Sequence, residues 1–202
     1  VNVTNGARSA SDSVSVTVLS DPVPSVGIHT TKYVVNSNEK VVLVGTASMT
    51  GASAMTYAWS SSEATAIATS AISTPLTGLT LVVKPDVLSL SLSPYTFSLR
   101  ATAGQAIGEA SVVITVNPPP RGGVLSVSPQ SGVALQTTFS LVTSFWVDDD
   151  IPLAFSFHIR NADGSPSLVA PPSAHPTATT VLGVGTLNVT ATATDTNGGA
   201  AT

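Results

Sequence analysis

The sequence predicts an all-β protein built as tandem β-sandwiches, and three observations carry that prediction. Short apolar runs with period-two alternation recur along the 202 residues, bounded by Gly, Pro, Asn and Ser. A turn-plus-strand element repeats at the spacing of one small domain. No window of about 18 apolar residues interrupts the pattern, so no membrane-spanning helix is expected.

The repeat aligns without gaps. Thr4, Gly6, Ser13, Val14, Val16, Thr17 and Val18 fall on Thr102, Gly104, Ser111, Val112, Ile114, Thr115 and Val116, a constant spacing of 98 residues. A third copy of the turn stands at Thr196-Asn197-Gly198, its glycine 94 residues after Gly104. About 100 residues is the length of one immunoglobulin-like or fibronectin type III-like sandwich. Residues 1–20 are therefore expected to be closing strands of a preceding sandwich, with a strand through Val14, Val16 and Val18. Residues 21–117 form one immunoglobulin-like unit. Residues 118–202 form a fibronectin type III-like unit, incomplete at its C-terminal end through truncation or strand exchange between chains.

In the first complete unit, strands are expected at Val23–Ile28, Lys32–Val35, Val41–Ala47, Met55–Ser60, Leu79–Val83 and Tyr95–Ala101, before the closing strand, with one helical turn near Pro85–Leu90. Trp59, alone on a mid-domain strand, is the expected central core aromatic. In the second unit strands are expected at Gly123–Val127, Gln136–Thr143, Ala154–Arg160, Thr179–Leu182 and Leu187–Thr194. Phe139, Trp146, Phe155 and Phe157 are its core candidates, with Phe145 beside Trp146 supplying further apolar area. The proline-rich stretch Ser165–Pro176 reads as an irregular surface loop.

Between the units Pro118, Pro119 and Pro120 have fixed φ and no amide hydrogen, so no central strand passes through them. With Gly122 and Gly123 they are expected to form an interdomain hinge. The stretch from Asn117 to Leu153 carries an ordered set of residues: Asn117, Pro119, Gly122, Gly123, Ser128, Pro129, Gly132, Ala134, Leu135, Thr137, Phe139, Trp146, Asp148, Asp150, Pro152 and Leu153. Together with the upstream run from Tyr95 to Pro120, this resembles the receptor-for-egg-jelly (REJ) module of sperm receptors and large polycystins, over about half of the chain. The triplet Tyr57-Ala58-Trp59 resembles the Tyr-x-Trp of PKD repeats, though the Gly-Asp-Gly that usually comes after it there is missing. The resemblance also implies two cysteines at the positions of Leu125 and Thr143. This chain has no cysteine, so packing must replace that disulfide. The self-cleavage triplet of the large polycystins, His-Leu-Thr or similar, is absent too, and autoproteolysis is not expected.

Composition narrows the setting. Charged residues make up 9% of the chain, against roughly 25% in ordinary soluble proteins, and the mean hydropathy is +0.37. The surface must be largely Ser, Thr, Ala and Gly. A net charge of −4 with seven scattered basic residues offers no footprint for nucleic acid and no polybasic membrane patch. Two sequons, Asn2-Val3-Thr4 and Asn188-Val189-Thr190, are candidate glycosylation sites at Asn2 and Asn188 and point, with the resemblance, to an extracellular setting.

Reactive chemistry is thin. Asp148, Asp149 and Asp150, with Asp163, offer oxygen ligands, but their spacing matches no calcium loop, so they read as a solvated turn after a strand. His29, His158 and His175 stand at separations no zinc motif uses. Glu39, Glu63 and Glu109 are far apart, and no Gly-x-Ser-x-Gly elbow is present. No enzyme activity, cofactor or metal is expected. The resemblance implies a structural and adhesive region of a large polycystin-like cell-surface, ciliary or flagellar protein. Its partners would be other extracellular modules, neighbouring copies or a polycystin-type channel. A carbohydrate-recognising module and a fibre subunit remain as alternatives.

Overall fold

The computed structural model describes residues 2–5, 8–11, 14, 22–51, 54–161 and 163–202. Strands β1 (Asn2–Asn5) and β2 (Arg8–Ser11) pair antiparallel and, among the described residues, only with one another, with Thr4 opposite Ser9 and Asn5 opposite Arg8. The strand expected at Val16 and Val18 lies outside the described residues; Val14 is exposed.

Residues 25–116 form two facing sheets. One has β3 (Ser25–His29), β5 (Val41–Ser48) and β7 (Thr80–Val83) in that order. The other runs β4-β9-β8-β6, with β4 at Val34–Val35, β6 at Thr56–Ser61, β8 at Tyr95–Ala103 and β9 at Ala106–Val116. Among the described residues of this unit only β4 pairs parallel, against the end of β9. Alternation builds the core between the sheets: Val41 and Leu43 from β5, Leu81 and Val83 from β7, Tyr95, Phe97 and Leu99 from β8, and Val112, Ile114 and Val116 from β9 point inward. The β8–β9 hairpin pairs Thr102 with Ile107 and Ala103 with Ala106, which is the β1–β2 register moved on by the repeat spacing. The repeat is thus one of pairing as well as of sequence.

Trp59 is buried in this core, and its indole N–H donates to the Gly78 carbonyl at 2.9 Å. The fully buried Tyr95, at the start of β8, sends its hydroxyl back to the Ser89 backbone, accepting from the amide at 2.9 Å and donating to the carbonyl at 3.2 Å. This corner is characteristic of immunoglobulin-type sandwiches. Two short 3-10 turns, Ala64–Ile67 and Leu90–Leu92, cross between the layers; the second lies just beyond the helical turn expected at Pro85–Leu90.

The second unit repeats the layout of a three-stranded sheet against a four-stranded one. Strands β10 (Val124–Ser128), β11 (Thr138–Ser144) and β14 (Thr177–Val181) form the first. The second runs β13-β12-β15-β16, with β12 at Ala154–Arg160, β13 at Pro166–Ser173, β15 at Asn188–Thr194 and β16 at Ala200–Ala201. The loop expected over Ser165–Pro176 is therefore mostly a strand. Its prolines are tolerated because β13 is an edge strand, where a missing amide breaks no inner ladder bond. Pro171 and Pro172 fall in the register shift between Phe155↔Ser173 and Phe157↔Ala170, so the bulge absorbs them.

Two core expectations are corrected. Phe145 is 78% exposed, because it adopts φ 63 immediately after β11 ends and so leaves the alternation that would have turned it inward. Trp146 is only half-buried and lies outside the buried cluster of Leu141, Phe157 and Ala191; its indole N–H donates to Thr143 Oγ1 at 2.7 Å. Phe139 and Phe157 are buried, and Phe155 is half-buried.

Candidate functional site at the joint between the sandwiches

The chain leaves the first sandwich through β9, whose last residue, Val116, is buried. Asn117 comes next, its amide donating to the Val35 carbonyl at 2.8 Å, as though the β4–β9 ladder continued by one residue. Its side chain is also buried, and Nδ2 donates to Asn36 Oδ1 at 2.9 Å and to Asp195 Oδ2 at 2.8 Å. Asn36 belongs to the first sandwich, and its own Nδ2 donates to the Asn197 carbonyl of the second at 2.9 Å. The two units are therefore joined by a buried polar contact that neither contains alone.

Each partner is presented by a local turn. Asn36 donates its amide to Glu39 Oε2 at 3.2 Å, while the Glu39 amide donates to the Asn36 carbonyl at 3.0 Å. Lys32 Nζ meets the other Glu39 oxygen at 2.7 Å, and this hydrogen bond from the ammonium is the main cause that holds the Glu39 carboxyl below its ordinary pKa. On the other side, Asp195 Oδ1 accepts from the amides of Asn197 at 2.8 Å and Gly199 at 2.9 Å, closing the loop between β15 and β16. Gly199 leaves room for the side chains that meet here. A Cβ there would collide with Asp195 Oδ2 and Asn117 Nδ2 and come within 3.2 Å of Asn36 Oδ1.

The acidic segment after β11 is tied to the same turn. Asp150 donates its amide to Asp148 Oδ1 at 2.7 Å, and its carbonyl accepts from the Thr196 amide at 3.3 Å and Thr196 Oγ1 at 3.4 Å. Carboxylate oxygens of Asp148, Asp150 and Asp195 consequently lie within 4.8 Å of one another. Asp163, weighed in the sequence as a fourth oxygen donor beside Asp148–Asp150, is not part of this group. Asp163 instead accepts from the Ser165 hydroxyl at 2.6 Å and the Ser165 amide at 2.9 Å, which lowers its pKa. The signal for Asp195 is the Asp-x-Asn-Gly-Gly turn, read in the sequence only as a repeat marker.

The Pro118–Gly123 segment is more constrained than a free hinge. Pro120 is fully buried, and Arg121 exchanges both backbone hydrogen bonds with Val147, at 3.1 and 2.9 Å. Gly122 has φ 78, a value that suits glycine. Gly123 lies beneath the Trp146 ring, where any Cβ would overlap the indole. Asn188, the second sequon, is exposed at the start of β15 and lines an open groove of about 740 Å³ with Leu125, Phe139, Leu182 and Val189. Asn2 lies on β1. His29, His158 and His175 join no metal-ligating group among the described residues.

The family model described as REJ domain matches residues 1–202. No curated protein matches the chain. Among solved structures, titin domains A168–A170 share 17% identity with a TM-score of 0.46, covering 98% of this chain and 68% of that one. Fibronectin(III)-like modules of Clostridium thermocellum CbhA share 12% identity with a TM-score of 0.40, covering 87% and 90%. The Yersinia pseudotuberculosis adhesin InvE shares 15% identity with a TM-score of 0.30, covering 87% and 56%.

Proposed function

The chain belongs to the REJ domain family, and from that premise we propose that it is a non-enzymatic extracellular region in which tandem β-sandwiches form a stalk and carry protein-protein contacts. The observation that supports this reading most directly is the joint. Asn117 follows the last strand of one sandwich without a spacer, its side chain is buried against Asp195 of the next, and Pro120 is buried three residues later. A stalk needs a fixed relation between neighbouring modules, whereas a flexible tether needs a solvated linker.

In its fuller form the proposal places this stalk on a large polycystin-like protein of the cell surface, cilium or flagellum. Neighbouring modules, further copies or a polycystin-type channel are its partners, and sugar on Asn2 and Asn188 covers part of a surface poor in charge. The test is to extract the native parent protein with high salt or with detergent and to record what leaves with it. Release by detergent alone, together with a channel-like partner, is the expected result. Release by salt as a polymer would replace the anchored stalk with a fibre.

A further inference from the structure

We propose that the joint binds one calcium ion through Asp148, Asp150, Asp195 and Asn117 Oδ1, and that the ion fixes the second sandwich against the first. Three carboxylates crowd within 4.8 Å of one another, and the ion pairs among the described residues, Lys32–Glu39 and Arg100–Glu109, lie elsewhere. Like charges at that range repel unless something positive lies among them. Asp195 is only 6% exposed, so solvent does little to relieve it.

The second observation is independent of the carboxylates. Asn117 is 3% exposed, and its Oδ1 is buried with no hydrogen-bond partner. The same carboxamide donates through its nitrogen to Asp195 Oδ2, so the unsatisfied oxygen belongs to a side chain already in contact with the acidic group. Buried polar atoms are rarely left unpaired, and an orphan in such a place indicates an ion or water that the side chains alone do not supply. A cation there would neutralise the carboxylates and give Asn117 Oδ1 its partner.

The ligand chemistry selects the ion. Every donor is oxygen, which suits a hard cation rather than zinc or copper. Calcium accepts irregular sets of carboxylate and carbonyl oxygens at about 2.3–2.6 Å, whereas magnesium at about 2.0–2.1 Å demands a near-ideal octahedron and keeps several waters. The ligands come from the β11–β12 connection, the β15–β16 loop and the residue that ends the first sandwich, and Asn117 is bonded in turn to Asn36. Binding at this point links both units. It holds whether the parent protein is an anchored stalk or a fibre.

The test uses the whole chain, stripped with a chelator and titrated calorimetrically with CaCl2. One calcium per chain is expected, in the roughly 10⁻⁴–10⁻³ M range of extracellular modules, with a higher melting temperature of the second sandwich in millimolar calcium than in EDTA. The double variant Asp148→Asn, Asp150→Asn keeps side-chain oxygens of the same size at partly exposed positions, and it should bind calcium roughly tenfold or more weakly while melting like the parent in EDTA. Asp163→Asn should leave binding unchanged. No heat of binding, identical melts with calcium and EDTA, or a double variant that binds like the parent would each overturn the proposal.

Discussion

The two sandwiches each set a three-stranded sheet against a four-stranded one, with the extra edge strand at opposite rims (β4 on β9, β13 on β12), but their interiors are very different. In the first, Leu43, Trp59, Leu81, Val83, Tyr95, Phe97, Leu99 and Ile114 belong to one cluster of buried apolar side chains that fills the space between its sheets. In the second, the corresponding cluster is Leu141, Phe157 and Ala191, flanked by partly buried neighbours such as Leu125, Val127 and Val189. Polar residues take up part of its interior, with Thr143 1% and Ser156 6% exposed, and a groove opens beside Leu125 and Phe139. A shared three-plus-four sheet plan therefore does not set how much apolar surface is buried. A thin core needs additional fastening, and the buried contacts of Asn117 and Pro120 stand at its entry.

Truncating one aromatic in each core tests this contrast most severely. Phe157→Ala and Phe97→Ala should each cost about 3–5 kcal/mol. In the second sandwich that loss should abolish its unfolding transition while the first survives, whereas Phe97→Ala should leave the first sandwich still folded in water. Denaturant unfolding followed through Trp59 and Trp146 separates the two, and equal tolerance in both would show that the cores are equivalent.

A smaller change should push the second sandwich the other way. Leu125 and Thr143, the positions where the family resemblance implies cysteines, are direct cross-strand partners on β10 and β11. Opposite residues of an antiparallel pair have Cα atoms about 4.5–5.5 Å apart, within reach of a disulfide. The double variant Leu125→Cys, Thr143→Cys should oxidise without reshuffling and raise the stability of the second unit by about 2–4 kcal/mol. A pair that stays reduced under mild oxidation would contradict the register.

Asn117→Ala should cost about 1–3 kcal/mol by leaving buried acceptors on Asn36 and Asp195 unpaired. It should also separate the two melting transitions in calorimetry, and an unchanged thermogram would mean that the joint does not couple the units.

The weakest response is that of the turn presenting Asn36 to pH. Because the Glu39 carboxyl is held below its ordinary pKa, its contribution is fully present above that ordinary value and fades as pH falls through the lowered one. The pair with Lys32 is partly exposed, so screening limits it to below about 1 kcal/mol. Melting curves of Lys32→Met and the parent should converge in acid and differ slightly at neutral pH.

Much of the architecture was legible from local pattern. The 98-residue repeat carries over into the hairpin register, since Thr4↔Ser9 and Thr102↔Ile107 occupy the same place in two copies. The third copy shows where such reading stops. At Gly104 the hairpin turns in two residues, and a Cβ there would meet nothing within 4 Å. The Asn197-Gly198 turn instead spans the longer loop from Thr194 to Ala200, with Gly199 enclosed by side chains of both units. A similar glycine-bearing turn thus stands free in one place and docks in the other, and no property of the dipeptide distinguishes them.

Local pattern was enough to establish that this chain is all-β, that it repeats at sandwich length and that Trp59 seeds a core. These features follow from the two-residue period of strands and from turn chemistry, which act between near neighbours. Folding in three dimensions made Pro166–Ser173 an edge strand rather than a loop, because only its place at the rim of a sheet makes its prolines harmless. It turned Phe145 outward, because φ reverses at the end of β11. It also brought Asn117 to Asp195, and Asn36 to the Asn197 carbonyl, across separations of 78 and 161 residues. Groups so far apart in the chain meet only when two sandwiches have folded and docked, so their chemistry belongs to the joint and to neither sequence segment alone.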